Sequence, residues 1–440
     1  MVRKRSMLWL GFLAALGCSG NISVPPAANG GSSGGVAGAS GGGGHAAAGQ
    51  SGAAGMVFAG QSGAAGRAGQ GGAAGSGGAA GSKANPGGLV NPAPGSSLFM
   101  GVNFWNIEWE GSENYFASDV KWSTTADPWN PQFLKDLAPY HALRFMDWNL
   151  INESDNPQAD WSSRAQQKAS QGEPVAFEWQ IDLCNRSMKD YWVNIPHAAD
   201  AAYVTKLAML VHEKLDPQLR VYVEWSNEVW NGRFPQREYA QRQGEALGLS
   251  GDDQAAAYQV YQSVRAFDAF TAVFGADSPR VVKVLAGQAA WTGPCEAQLK
   301  ALSDKKINPN QTKATVYAVA PYFAGESVEE LTDKGIAEAA GWIEDSAKCA
   351  DSAGLPLIAY EGGQDSYSLG ESGCAQLQRD SGMREVYVQF LDAMLKAKLK
   401  GPFMHYTHTG NCWGLKRRTS DSAADSPKYQ GMMDWLSKHP

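Results

Sequence analysis

Eight short apolar runs, each closed by turn residues or charge, divide the chain from about residue 96 onward. They are Leu98–Phe104, His141–Asp147, Tyr191–His197, Arg220–Trp225, Val281–Gly287, Val316–Tyr322, Leu355–Glu361 and Pro402–Tyr406. Their apolar residues run on without strict alternation, which predicts strands buried on both faces. Between most of them lie stretches with helical periodicity: 177–188, 200–215, 253–274, 328–350 and 383–399. Asp200 stands where an N-cap belongs. Eight strand–helix repeats in roughly 345 residues predict a single α/β domain over 96–440, a (β/α)8 TIM barrel. A doubly wound open sheet fits less well. Its polar residues would gather at one switch point, whereas here nearly every run ends in one.

The first 95 residues lack this patterning. Arg3, Lys4 and Arg5 precede the apolar stretch Met7–Leu16, which predicts a signal peptide over 1–17. Ala15-Leu16-Gly17-Cys18 resembles a lipobox, so Cys18 is the expected lipidated first residue; the alternative is an ordinary cut after Gly17. Residues 18–95 are dominated by Gly, Ala and Ser, and Gly49–Gly55 recurs intact at Gly60–Gly66. Such a segment buries too little apolar surface to offset its ordering entropy and reads as a disordered linker, with an end-to-end distance on the order of 50 Å. The expected location is the outer membrane or cell surface, or free secretion if Cys18 carries no lipid. The membrane is then a partner only through the anchor, and the chain is expected to be a monomer.

A net charge of −7 with no basic patch argues against a nucleic-acid partner. Of six cysteines, five remain if Cys18 is lipidated. Cys374 with Cys412, and Cys295 with Cys349, are the expected disulfides. No Cys-x-x-Cys or Cys/His cluster suggests a metal, and no cofactor is expected.

The chemistry gathers at the C-terminal ends of the runs: Asn103, Arg144, Asp147, Asn194, His197, Asn227, Glu228, Gln288, Tyr322, Glu361 and His405. Singly each has a bland reading, such as a salt-bridged Arg144 or a core His197. A barrel would place all of them around one bowl. Two carboxyl groups at the ends of two strands, Glu228 and Glu361, are the minimum for glycoside hydrolysis. The chain holds 15 Trp, and Trp105, Trp230, Trp291 and Trp413 fall where they could stack on sugar rings.

The segment from about Gly101 to Trp435, with Ser226-Asn227-Glu228-Val229-Trp230-Asn231 and Tyr360-Glu361-Gly362-Gly363-Gln364, resembles clan A retaining glycoside hydrolases, in particular cellulase-like bacterial secreted proteins. The resemblance implies Glu228 as acid/base and Glu361 as nucleophile, with Asn227, Arg144, His197 and Tyr322 around them. Arg144 and Tyr322 would keep Glu361 ionised. Substrate contacts would come from these residues together with the four Trp and His405. The chain departs from the cellulase-like members in lacking a His-x-Tyr on the sixth run. The function implied is hydrolysis of a β-linked poly- or oligosaccharide by double displacement. The alternative is a non-catalytic carbohydrate-binding or surface-adhesion protein on the same barrel. Esterase chemistry has no Gly-x-Ser-x-Gly elbow within 96–440 to support it.

Overall fold

The computed structural model describes residues 88–105, 107, 115–117, 127–153, 158–167, 174–249 and 253–439. Residues 1–17, Cys18 and the linker as far as 87 lie outside the described residues.

All eight expected runs form strands: β1 (Met100–Asn103), β2 (Ala142–Arg144), β3 (Asp190–Ile195), β4 (Val221–Trp225), β5 (Val281–Ala286), β6 (Val316–Val319), then β8 (Leu357–Ala359) and β10 (Phe403–Tyr406). They close into one parallel barrel in the order β1-β10-β8-β6-β5-β4-β3-β2. The interior is filled, not open. Trp192, Tyr222, Val282, Val284, Ala318, Ile358, Tyr360 and Met404 pack there, and the Trp192 and Tyr222 rings stack at 5.0 Å. Residues of opposite parity face the surrounding helices, so every strand is buried on both sides.

Two short strands were not expected: β7 (Tyr322–Ala324) and β9 (Gly363–Asp365) pair in parallel just above the barrel. Pro321 interrupts the sixth run before it resumes as β7. Gly362 and Gly363, with φ of 145° and 132°, lead the chain from β8 into β9. A Cβ on Gly362 would lie 2.7 Å from the Phe403 ring, and one on Gly363 2.6 Å from His405 Nε2. This pair sets Tyr322 beside Glu361.

Helices fall where periodicity put them. Ala201–Lys214 is capped by Asp200, which accepts from Tyr203 N–H at 2.6 Å. Gln254–Phe274 is capped by Asp253. The 328–350 stretch divides into Val328–Glu330, a π-helical turn Leu331–Gly335, and Ile336–Asp351. Pro235–Ala246 was not expected, since only three of its residues are buried. Cys295 is bonded to Cys349 and Cys374 to Cys412, while Cys184 is free and buried.

The start of the domain needs correction. Residues 90–95, assigned to the linker by composition, bind the bottom of the barrel. Val90 N–H donates to Gln218 O and Gly95 N–H to Gly401 O. Asn91 donates to Met188 O and Asp190 Oδ1, and Arg220 donates to Asn91 O and Pro92 O. These are mostly contacts to backbone groups, which leave no apolar periodicity to read.

Candidate active site

The fourth run leaves the barrel through a strained turn. Ser226 and Glu228 have φ of 61° and 41°, conformations that cost a non-glycine residue on the order of 1–3 kcal/mol and persist only where the surroundings hold them. Ser226 N–H donates to Ile195 O and Asn231 N–H to Glu228 O, both at 2.8 Å. Gln236 donates to Asn227 O at 2.7 Å. The turn places Glu228 between Tyr360, whose hydroxyl donates to Oε1 at 3.1 Å, and Asn231, whose amide donates to Oε2 at 2.9 Å.

Glu361 follows β8 on the opposite strand pair. Its Oε1 accepts from Arg144 Nη1 at 2.8 Å and Asn103 Nδ2 at 3.2 Å. Its Oε2 accepts from the Tyr322 hydroxyl at 3.0 Å. Glu228 and Glu361 are each 3% exposed. The structure thus brings together Glu228, Asn227, Glu361, Arg144 and Tyr322 from four parts of the chain.

Arg144 does not reach the bowl as a sugar contact. It is fully buried, and its guanidinium donates to Glu224, Glu361 and Asn227. The inward parity of β2 sends it across the barrel. Glu224 escaped sequence reasoning because it sits inside a strand, four residues before Glu228. Its i, i+2 relation to Tyr222 on the inward face was the available signal. Tyr360 and Asn231 were missed because each adjoins a more conspicuous residue, Glu361 and Trp230.

The two carboxyl groups are pushed unequally. Burial, then the charge of Glu361, raises Glu228 to about 8, against the hydrogen bonds from Asn231 and Tyr360. Glu361 is also raised by burial, contrary to the expectation that its donors would keep it low. The Arg144 charge and the Arg144 and Tyr322 hydrogen bonds oppose that rise directly. The Arg144 cation thus favours the charged form of Glu361 by direct contact, a contact that Glu228 lacks.

A stability consequence follows. An acid whose folded pKa lies above its unfolded value of about 4.5 stabilises nothing at high pH. Its cost is absent below pH 4.5 and grows until pH reaches about 8. Glu228→Gln should therefore raise stability, by roughly 4 kcal/mol at pH 8 and by little at pH 4.5. Denaturant midpoints of both proteins across that range check it; a gain that does not grow with pH would contradict the burial of a proton on Glu228.

An aromatic wall borders the Glu361 side. Tyr406 lies edge-on to Tyr322 at 6.5 Å, Trp105 stacks on Tyr406 at 5.8 Å, Trp413 packs on Trp105 at 5.0 Å, and Tyr367 stacks on Trp413 at 5.2 Å. The Cys374–Cys412 disulfide packs into the same cluster. Trp105 and Trp413 are 7% exposed within it, while Trp291 is 63% exposed on the loop after β5. Trp230 is half-buried beside Tyr360.

His405 does not face the bowl. His405 is fully buried; its ring bonds the Tyr387 hydroxyl at 2.9 Å and Thr407 O at 3.3 Å. Strand alternation turns Phe403 and His405 toward the helices and Tyr406 toward the bowl, so Tyr406 occupies the place expected of His405. His197 packs edge-on against Tyr239 of the helix Pro235–Ala246 at 5.0 Å, with burial lowering its pKa. Among the described residues no cluster of three or more His, Cys, Asp or Glu is arranged to hold a metal ion.

No protein-family model matches this chain, and no curated protein sequence matches it. Solved structures similar to it include a 4-O-α-L-rhamnosyl-β-D-glucuronidase from Fusarium oxysporum, at 16% identity and a TM-score of 0.46, covering 79% of this chain and 72% of that one. A modular endo-β-1,4-mannanase from Cellulomonas fimi is 9% identical, with a TM-score of 0.45 and coverage of 78% and 71%. A xylanase from Cellvibrio japonicus is 11% identical, with a TM-score of 0.42 and coverage of 79% and 71%. Likeness of this degree assigns neither substrate nor residues, which rest on this chain's own side chains.

Proposed function

We propose that this protein is a retaining glycoside hydrolase acting on a β-linked poly- or oligosaccharide, with Glu361 as nucleophile and Glu228 as acid, then base. The observation that carries the reading is the division of labour within one buried pair. Three donors, one of them the Arg144 cation, converge on Glu361, while Glu228 meets only the neutral Tyr360 hydroxyl and Asn231 amide.

In the first step Glu361 attacks the anomeric carbon as Glu228 gives its proton to the departing glycosidic oxygen, leaving a glycosyl ester on Glu361. In the second, Glu228, now a carboxylate, takes a proton from water, which attacks the same carbon and releases Glu361. The amide of Asn227 adjoins the Arg144 guanidinium, where it can meet the sugar 2-hydroxyl, a contact that strengthens in the transition state. Tyr406, Trp105 and Trp413 cover one another's faces and brace Tyr322 beside Glu361, which leaves the more open Trp230 and Trp291 as the rings that could stack on pyranose faces.

The test is a panel of β-linked glucans, xylans and mannans, read by reducing-sugar release, with the first product followed by proton NMR. Release of a product that keeps the β configuration is expected. Release of the α anomer would replace double displacement with inversion. Tight binding without release across the panel would make the barrel a carbohydrate-binding protein.

A further inference from the structure

We infer that Glu224 is a positioning residue for Glu361: it fixes the direction of the Arg144 guanidinium and shares its charge, so that Glu361 remains a basic nucleophile. The inference rests on the proposed role of Glu361.

The geometry is specific. Glu224 Oε2 accepts from Arg144 Nε at 3.2 Å and Arg144 Nη2 at 2.9 Å. It also accepts from Trp192 Nε1 and Asn194 Nδ2, both at 2.8 Å. A guanidinium is a rigid planar fork, so holding its Nε–Nη2 edge leaves Nη1 only one direction. That direction is Glu361 Oε1, at 2.8 Å. The Trp192 and Tyr360 rings, 5.7 and 5.2 Å from the guanidinium carbon, limit its rotation. Four donors converge on this one oxygen, which fixes the Glu224 side chain in a single orientation.

The charge count follows. One guanidinium faces two carboxylates, all at most 3% exposed. With Glu361 alone, the whole positive charge of Arg144 would act on the nucleophile and make it a weaker base. Glu224 withdraws part of that attraction, and its charge raises the affinity of Glu361 for a proton. A plain structural ion pair would need only one of the two carboxylates. The second one ties the strength of the nucleophile to a residue that never touches the sugar.

The test separates this from the function itself. Full-length protein labelled with 13C at the Glu carboxyl carbon is titrated by NMR in a Glu228→Gln background, where Glu361 titrates without its partner; Glu361→Gln identifies its signal. Adding Glu224→Gln is expected to lower the Glu361 midpoint by about one pH unit or more. With Glu228 intact, Glu224→Gln should move the acid limb of kcat/KM to lower pH by a similar amount, with the main loss in kcat. Glu224→Asp, which keeps the charge, should leave that limb within about 0.3 unit of the parent. Glu224→Met, a second uncharged replacement of similar size, gives the same reading if the Gln variant does not fold. An unchanged Glu361 midpoint in a folded Gln or Met variant would reduce Glu224 to a structural ion pair. Absence of hydrolysis on every glycan would sink the proposed function, while the carboxyl titration would still decide the coupling.

Discussion

Glu361→Gln is expected to lose glycan turnover by about 10⁴-fold or more while its melting temperature stays at or above that of the parent. The side chain keeps its shape and loses only the charge. An amide oxygen does not attack an anomeric carbon at a useful rate, so no glycosyl ester forms. Glu228→Gln should lose about 10²–10⁴-fold on glycans whose leaving group needs a proton, and far less on aryl glycosides with acidic leaving groups. That contrast assigns the acid, because a structural defect would impair both substrates alike. Azide should restore Glu361→Gly and give a product of inverted configuration, since the small anion fills the space of the missing carboxylate. Full turnover in either Gln variant would remove that residue from the mechanism.

Arg144→Met should cost about 3–5 kcal/mol of stability at pH 7. The variant removes a fully buried cation and leaves Glu224 and Glu361 in the barrel with no countercharge. It also takes the donor from Asn227 Oδ1. Glu361, which Arg144 holds down in the parent, then binds a proton more readily, so the cost should shrink as pH falls toward 5. Combining Arg144→Met with Glu224→Met should recover part of the loss, because a buried ion pair replaced by apolar groups of similar size is often neutral or better. Denaturant midpoints at pH 5 and 7 check each step. A cost below about 1 kcal/mol at pH 7 would mean that water reaches the cluster.

The architecture was legible because its signals are local. A buried parallel strand is a short apolar run, a helix an apolar stripe that a capping Asp such as Asp200 can open, and eight repeats of the two leave few arrangements. The carboxyl pair was legible because each member ends a run. The β7–β9 pair was not, because three residues on either side carry no period. Residues 90–95 were read as linker because their composition is that of a linker, and only the polar groups beneath the barrel recruit them.

Register separates the site residues that sequence located from those it did not. His405 and Tyr406 are neighbours in the chain, and a one-residue difference decides which faces the bowl. Glu224 looks like any charge within a strand until β2, β3 and β8 bring Arg144, Trp192, Asn194 and Glu361 around it. Local pattern along the chain determined the barrel and the two acids at its rim. The tertiary structure alone decided which donors each acid meets, because burial, the turn at Ser226–Glu228 and the sharing of one guanidinium between two carboxylates join residues more than 200 positions apart.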